Sequence, residues 1–298
     1  MLEDHTSFSL KVSVNKTPYY LNRKIVKAPI ADLYSFLSQA QEYPKIFWKE
    51  KNSDETRVAL GSILTETEAP AFNLLEEAPL PKELLPRFWG GHAFANSLRK
   101  TSLFRHFPNS YFILPKIEIY QKGEETFIFY NSLSSKPSEV LPQYDSFKTI
   151  DFQESFPKLV QREDSIALSQ WEKKIDKALQ KIDRKDLKKV VLARKTTLSF
   201  SDTVDPFLLL EKLEKKQDNN TCFAFQLHPA TAFIGATPEL LYKRDGDRLM
   251  TEAIAGTFSP EVKEIDLASK EFREVDDVNK NIDLSLKTLC SSFNLMKV

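Results

Sequence analysis

An α+β fold built on antiparallel sheet is what this sequence predicts, and three features lead there. Strand-like runs crowd the second half at short intervals, with Asp245-Gly246-Asp247 as a turn signal between two of them. A second such signal, Lys122-Gly123-Glu124, separates two runs in the first half. Segments of helical spacing exist, but they do not alternate with the strands as crossovers. Strands joined by short turns pair antiparallel, whereas parallel pairing needs long connections.

In chain order, residues 1–60 are mixed, with a short amphipathic helix over 31–42 whose Leu33, Phe36 and Leu37 face inward. Residues 66–87 are rich in Pro, Glu and Leu and read as an irregular connector. It ends at Arg87-Phe88-Trp89-Gly90-Gly91-His92, where the glycine pair permits a tight reversal. Runs over 111–121 and 125–130 predict a hairpin. Residues 131–163 are polar and proline-bearing, an excursion between the two halves.

Ile166, Leu168, Trp171, Ile175, Ala178, Leu179 and Ile182 have helical spacing over 165–184. The β-branched run 188–199 predicts a strand. Asp205 as N-cap and Pro206 at the first helical position predict a helix over 206–216. Short strands are expected over 221–227, 232–235, 240–244 and 248–254, and a surface-facing amphipathic helix over 261–289. The expected organisation is one intertwined domain with an N-terminal part, 1–163, and a C-terminal part, 164–298.

The composition excludes several functions. With 42 basic and 42 acidic residues the net charge is zero, against the basic excess of a nucleic-acid clamp. Only 7 glycines occur, and no GxGxxG or GxxxxGK[ST] pattern, so a Rossmann dinucleotide site and a P-loop are excluded. Cys222 and Cys290 are far apart and form no zinc pattern; each reads as a reduced, buried thiol. The four histidines lack metal-ligand spacing. No apolar run approaches the roughly 18 residues of a membrane span, and the start lacks a signal peptide. The expectation is a soluble, cytoplasmic protein, a monomer or weak homodimer, with neither nucleic-acid nor membrane partners.

Three short pieces of the second half stand out: Lys189-Val190-Val191-Leu192-Ala193-Arg194, Gly235-Ala236-Thr237-Pro238-Glu239-Leu240-Leu241 and Thr251-Glu252-Ala253-Ile254-Ala255-Gly256-Thr257. Each alone reads as a strand end or turn. In this order and spacing the set resembles the chorismate-utilising enzymes, and within them the isochorismate synthase branch. Phe88-Trp89-Gly90-Gly91-His92-Ala93-Phe94 and Leu114-Pro115-Lys116-Ile117-Glu118 are weaker matches of the same kind. The resemblance covers residues 85–285 and implies the fold of anthranilate and aminodeoxychorismate synthases, antiparallel sheets flanked by helices.

The resemblance also implies a chemistry. An isochorismate synthase adds water at C2 of chorismate and expels the C4 hydroxyl, which needs a base for the water and an acid for the leaving group. It assigns Lys189 as the base and Glu239 as the acid. To act near neutral pH the lysine, ordinarily near 10.4, must be desolvated or set beside another cation, as a buried strand residue would be. The glutamate needs an apolar wall. Relatives that add ammonia usually lack this lysine, and aminodeoxychorismate synthases usually carry lysine where Ala255 stands; both differences favour water. Salicylate synthase keeps the lysine and remains an alternative.

The resemblance further implies Mg²⁺ held by glutamates, a hard cation suited to carboxylates, substrate oxygens and water. Ser269-Lys270-Glu271-Phe272-Arg273-Glu274 matches that piece, with Glu274 as ligand and Glu271 as an alternate ligand three residues away on one helix face. Gly256 and Thr257 would offer backbone groups to a substrate carboxylate. Val275 departs from the family's usual histidine, and residues 284–298 match none of its pieces. The family's final quarter is expected to be missing, which leaves a second alternative: a non-catalytic, truncated relative that binds chorismate weakly or not at all.

Overall fold

The computed structural model describes residues 5–27, 30, 32–77, 81–94, 104–137, 156–216, 219–254 and 270–292. Along the first half run β1 (His5–Val14), β2 (Thr17–Lys27), α1 (Leu33–Gln39), β3 (Lys45–Lys49), β4 (Glu55–Leu60), β5 (Leu64–Glu66), β6 (Phe72–Leu74), β7 (Trp89–His92), β8 (Ser110–Leu114), β9 (Ile117–Lys122) and β10 (Glu125–Ser134). The second half adds β11 (Leu159–Asp164), α2 (Leu168–Asp183), β12 (Thr196–Phe200), α3 (Pro206–Glu214), β13 (Thr221–His228), β14 (Thr231–Thr237), β15 (Lys243–Asp245), β16 (Arg248–Met250) and α4 (Lys270–Leu289). The chain divides into two interleaved units. Met1–Pro29, Gln41–Tyr144 and Lys212–Val298 make the first, and Ile30–Ala40 with Asp145–Glu211 the second.

A nine-stranded sheet in the order β14-β13-β3-β4-β9-β10-β2-β1-β6 dominates the first unit, and its described pairings are antiparallel. The expected hairpin forms between β9 and β10, with Gly123 at φ +55° in the two-residue turn. The β15–β16 turn repeats the device with Gly246 at φ +58°. The long β1–β2 hairpin was not expected, because its turn is Asn15-Lys16, with φ of 49° and 69°. Asn tolerates that conformation; nothing in a lysine announces it.

Two expectations near the middle are corrected. The run 111–121 is two strands, broken at Pro115-Lys116, and the break transfers the chain from a second sheet, β5-β8-β7, into the nine-stranded one. Gly90-Gly91 makes no reversal but lies within β7, paired to β8. Glycine is needed there because a Cβ on Gly90 would stand 1.8 Å from the Tyr111 carbonyl oxygen.

Ile113 and Leu114 of β8 seat the small sheet on the large one. Ile113 joins Ile46 and Ala59, and Leu114 joins Leu10, Val12 and Leu21. Ile25, Leu84, Tyr120 and Phe129 form a further buried cluster. Beside them lies a buried charge pair. Arg23 Nη1 donates to Glu118 Oε1 at 2.7 Å and to Asn131 Oδ1 at 3.0 Å, and Nη2 donates to the Leu84 carbonyl at 3.2 Å. Asn131 Nδ2 donates in turn to Glu118 Oε1 and the Pro115 carbonyl. The guanidinium stacks over the Phe129 ring at 4.2 Å. Side-chain exposures of 1% and 7% make this a desolvated pair. Burial lowers the Arg23 pKa and the Glu118 carboxylate works against that fall.

In the second unit, Asp32 caps α1 by accepting from the Tyr34 and Ser35 amides, and Leu33, Phe36 and Leu37 are buried as expected. Asp205 accepts from the Phe207 and Leu208 amides, the predicted cap of α3, and also takes a bond from the Ser38 hydroxyl. β11 and β12 pair as a two-stranded ribbon. Helix α2 begins three residues inside its expected range, at Leu168. The expected strand 188–199 shrinks to Thr196–Phe200, and residues 189–195 are neither helix nor strand. Val191 is 81% exposed. Strand propensity holds only where a neighbour supplies a ladder and a packed face, and the β11–β12 pairing stops at Thr196.

Replacing Arg23 by Met should leave Glu118 buried without its cation and cost about 3–5 kcal/mol in urea unfolding. The double replacement Arg23→Met with Glu118→Leu should recover most of that loss. Equal losses in the single and double variants would show that the pair is not what holds this region.

Candidate active site

The segment carrying Glu239 leaves the outer edge of the nine-stranded sheet. β13 is fixed to β3 from Cys222↔Lys49 to Gln226↔Lys45, and β14 folds back on β13 with Cys222↔Ala236 and Thr221↔Thr237. Gly235 lets the Phe223 ring lie across the strand; a Cβ there would meet Phe223 Cζ at 2.6 Å. Phe223 itself stacks on Trp48 at 6.2 Å and leans on Phe233 at 5.4 Å. Pro238, lacking an N–H, follows the last residue of β14. The Thr237 hydroxyl accepts the Glu239 amide at 3.4 Å, and Glu239 is exposed. β15, expected to begin at 240, begins at Lys243, so Glu239 sits in irregular chain.

This segment is tied to the turn between β3 and β4. Lys51 Nζ donates to the Pro238 carbonyl at 2.6 Å and pairs with the Glu252 carboxylate at 2.5 Å. The Lys51 amide donates to Thr221 Oγ1 at 3.2 Å. Lys243 Nζ reaches both oxygens of Glu50, at 2.7 and 2.9 Å. Thr251 Oγ1 donates to the Leu241 carbonyl at 2.6 Å. Residues 238–243 are thus held at both ends by the Glu50-Lys51 turn and from below by Thr251. Sequence reasoning missed Glu50, Lys51 and Glu252. Their partners lie far along the chain, and a Lys-Glu-Lys run carries no local signal.

The other expected site residues fare differently. Lys189 belongs to the second unit, Glu239 to the first. Lys189 is exposed and irregular, not the buried strand residue expected. Gly256 and Thr257 lie outside the described residues. Glu271 and Glu274 fall in α4 three residues apart, a spacing that sets them on one face, while their side chains lie outside the described ones. Among the described residues no three His, Cys, Asp or Glu side chains gather as a metal site. Cys222 is the buried thiol expected, its pKa pushed up by burial and by Glu214; Cys290 is half-buried. His106 and His228 meet edge to face at 4.9 Å. The nearby hollow of about 400 Å³, lined by Arg105, His106, Phe107 and Pro108, contains none of the expected site residues.

Residues 11–297 match the family described as chorismate binding enzyme. The chain belongs to that family. It is similar to the isochorismate synthase MenF of Haemophilus influenzae, 24% identical over 286 residues, which cover 92% of this chain and 62% of that protein. MenF of Escherichia coli is 28% identical over 233 residues, 76% of this chain and 51% of that one. The solved structure of the menaquinone-specific isochorismate synthase MenF from Escherichia coli superposes with a TM-score of 0.68 at 22% identity, covering 95% of this chain and 66% of that chain. The α+β fold expected from sequence is therefore that of the family. The chain spans between half and two thirds of the length of these relatives. No described helix is long and apolar enough to cross a membrane.

Gly235 leaves room that the Phe223 ring fills, so Gly235→Ala should force Phe223 out of its stack. A cost of about 1–3 kcal/mol is expected for such overpacking, measured as a lowered thermal midpoint. An unchanged midpoint would contradict the close approach.

Proposed function

We propose that this chain catalyses the conversion of chorismate to isochorismate, with Lys189 as general base and Glu239 as general acid. The observation that carries the proposal is the family match over residues 11–297, in a chain whose sequence around Lys189 and Glu239 resembles pieces of the isochorismate synthase branch. Lys189 takes a proton from water as the oxygen bonds to C2; the two ring double bonds shift in turn, from C1=C2 to C1=C6 and from C5=C6 to C4=C5, the bond from C4 to its hydroxyl breaks, and Glu239 gives that oxygen a proton. One water enters and one leaves, so the products are isomers. The two groups then hold each other's proton state and reset through solvent.

The exposure of Lys189 bears on this chemistry. An ammonium has no lone pair to take a proton, so the proposal requires that the Lys189 amine be shielded from water once substrate is bound. The exposed Glu239 needs the same enclosure to hold its proton. Gly256 and Thr257 would receive a substrate carboxylate on their backbone groups. Glu274, with Glu271 beside it on α4, offers hard oxygen donors in keeping with Mg²⁺, which would neutralise the substrate's carboxylate charge.

Chorismate turnover, followed by product chromatography with Mg²⁺ present, tests the assignment. Lys189→Ala and Glu239→Gln should each lower kcat by about 10²–10⁴-fold, with isochorismate as the product of the unmodified chain. A wild-type rate in either variant would overturn its role, and pyruvate among the products would move the chain to the salicylate-forming reaction.

A further inference from the structure

We propose that Lys51 is a positioning residue for Glu239, a role that rests on Glu239 being the acid of the reaction. Lys51 stands on the turn between β3 and β4, almost two hundred residues before the segment it holds. Its ammonium spans two groups on either side of Glu239 in the chain: the Pro238 carbonyl at 2.6 Å and the Glu252 carboxylate at 2.5 Å.

The chemistry of the two acceptors makes this a clamp. The Pro238 carbonyl belongs to the peptide that leads into Glu239, so a bond to it fixes where the Glu239 backbone starts. Glu252 lies four residues before Gly256. One cation therefore joins the entry to the acid with the irregular segment after β16. Charge-assisted bonds of this kind are short and directional, and the Lys51 side chain is only 18% exposed. The stem is anchored as well, since the Lys51 amide donates to Thr221 Oγ1 on β13. Glu239 otherwise has one 3.4 Å bond from its own amide to Thr237, and it sits past the end of β14. Lys51 supplies the rigidity that irregular, exposed chain lacks, and a displacement of about 1 Å in an acid costs up to about 10²-fold in rate.

The test compares wild type, Lys51→Met and Lys51→Arg. Amide order parameters at Glu239 and Leu240 should fall in Lys51→Met from about 0.85 to below about 0.6, and Lys51→Arg should restore them. In turnover of chorismate, Lys51→Met should lower kcat by about 10- to 100-fold with KM changed less than about twofold, again restored by arginine. Unchanged order parameters, or a kcat equal to wild type in an enzyme that Glu239→Gln inactivates, would overturn the positioning role and leave the acid assignment standing. If wild type does not turn over chorismate, the functional reading falls and the order parameters alone decide the clamp. Should Lys51→Met fail to fold, Glu252→Gln, which weakens the same clamp from the other side, is read by the same measurements.

Discussion

The pairing of β3 with β13 is the constraint on which the candidate site depends. It runs from Cys222↔Lys49 to Gln226↔Lys45 and carries residues from the last third of the chain into a sheet built mostly by the first half. Once that register is set, Thr221 lies under the Lys51 amide, and Thr237, paired with Thr221, brings Pro238 under the Lys51 ammonium. A register slip of one residue would invert every side chain of β13, turning Cys222 and Ala224, both fully buried, toward the opposite face. The buried side chains thus enforce the geometry that the exposed ones use.

Charge is distributed to match. The desolvated pair, Arg23 with Glu118, sits inside the sheet's core, with both terminal guanidinium nitrogens hydrogen-bonded. Such a pair contributes little net stability but costs heavily when broken, so it fixes where β2, β9 and β10 meet. Lys189 and Glu239 stand in the opposite condition, exposed and outside regular structure. In the proposed reaction both groups gain and lose protons, which a group locked in the manner of Arg23 could not do.

Much of this was legible in the sequence where a residue has one conformational use. Gly123 and Gly246 marked their hairpins, Asp205-Pro206 marked the start of α3, and Leu33, Phe36 and Leu37 marked the buried face of α1. The order of Lys189, Glu239 and Gly256 pointed to the family that the match over residues 11–297 establishes. The failures share a cause. Asn15-Lys16 turns because its strands pair, and Gly90 is in a strand because Tyr111 crosses it closely. Residues 188–195 lack a ladder despite their β-branched side chains. The ties from Glu50 and Lys51 join positions nearly two hundred residues apart. Each depends on a partner that local pattern does not contain.

The central claim is that this stretch of the family fold recognises chorismate through groups on its own chain. Titration calorimetry of chorismate into the purified chain, with Mg²⁺ and then with the metal chelated, addresses it most directly. The account predicts saturable heat at one site per chain that disappears on chelation. No heat in either condition, from a chain whose circular dichroism reports a folded sheet, would contradict it.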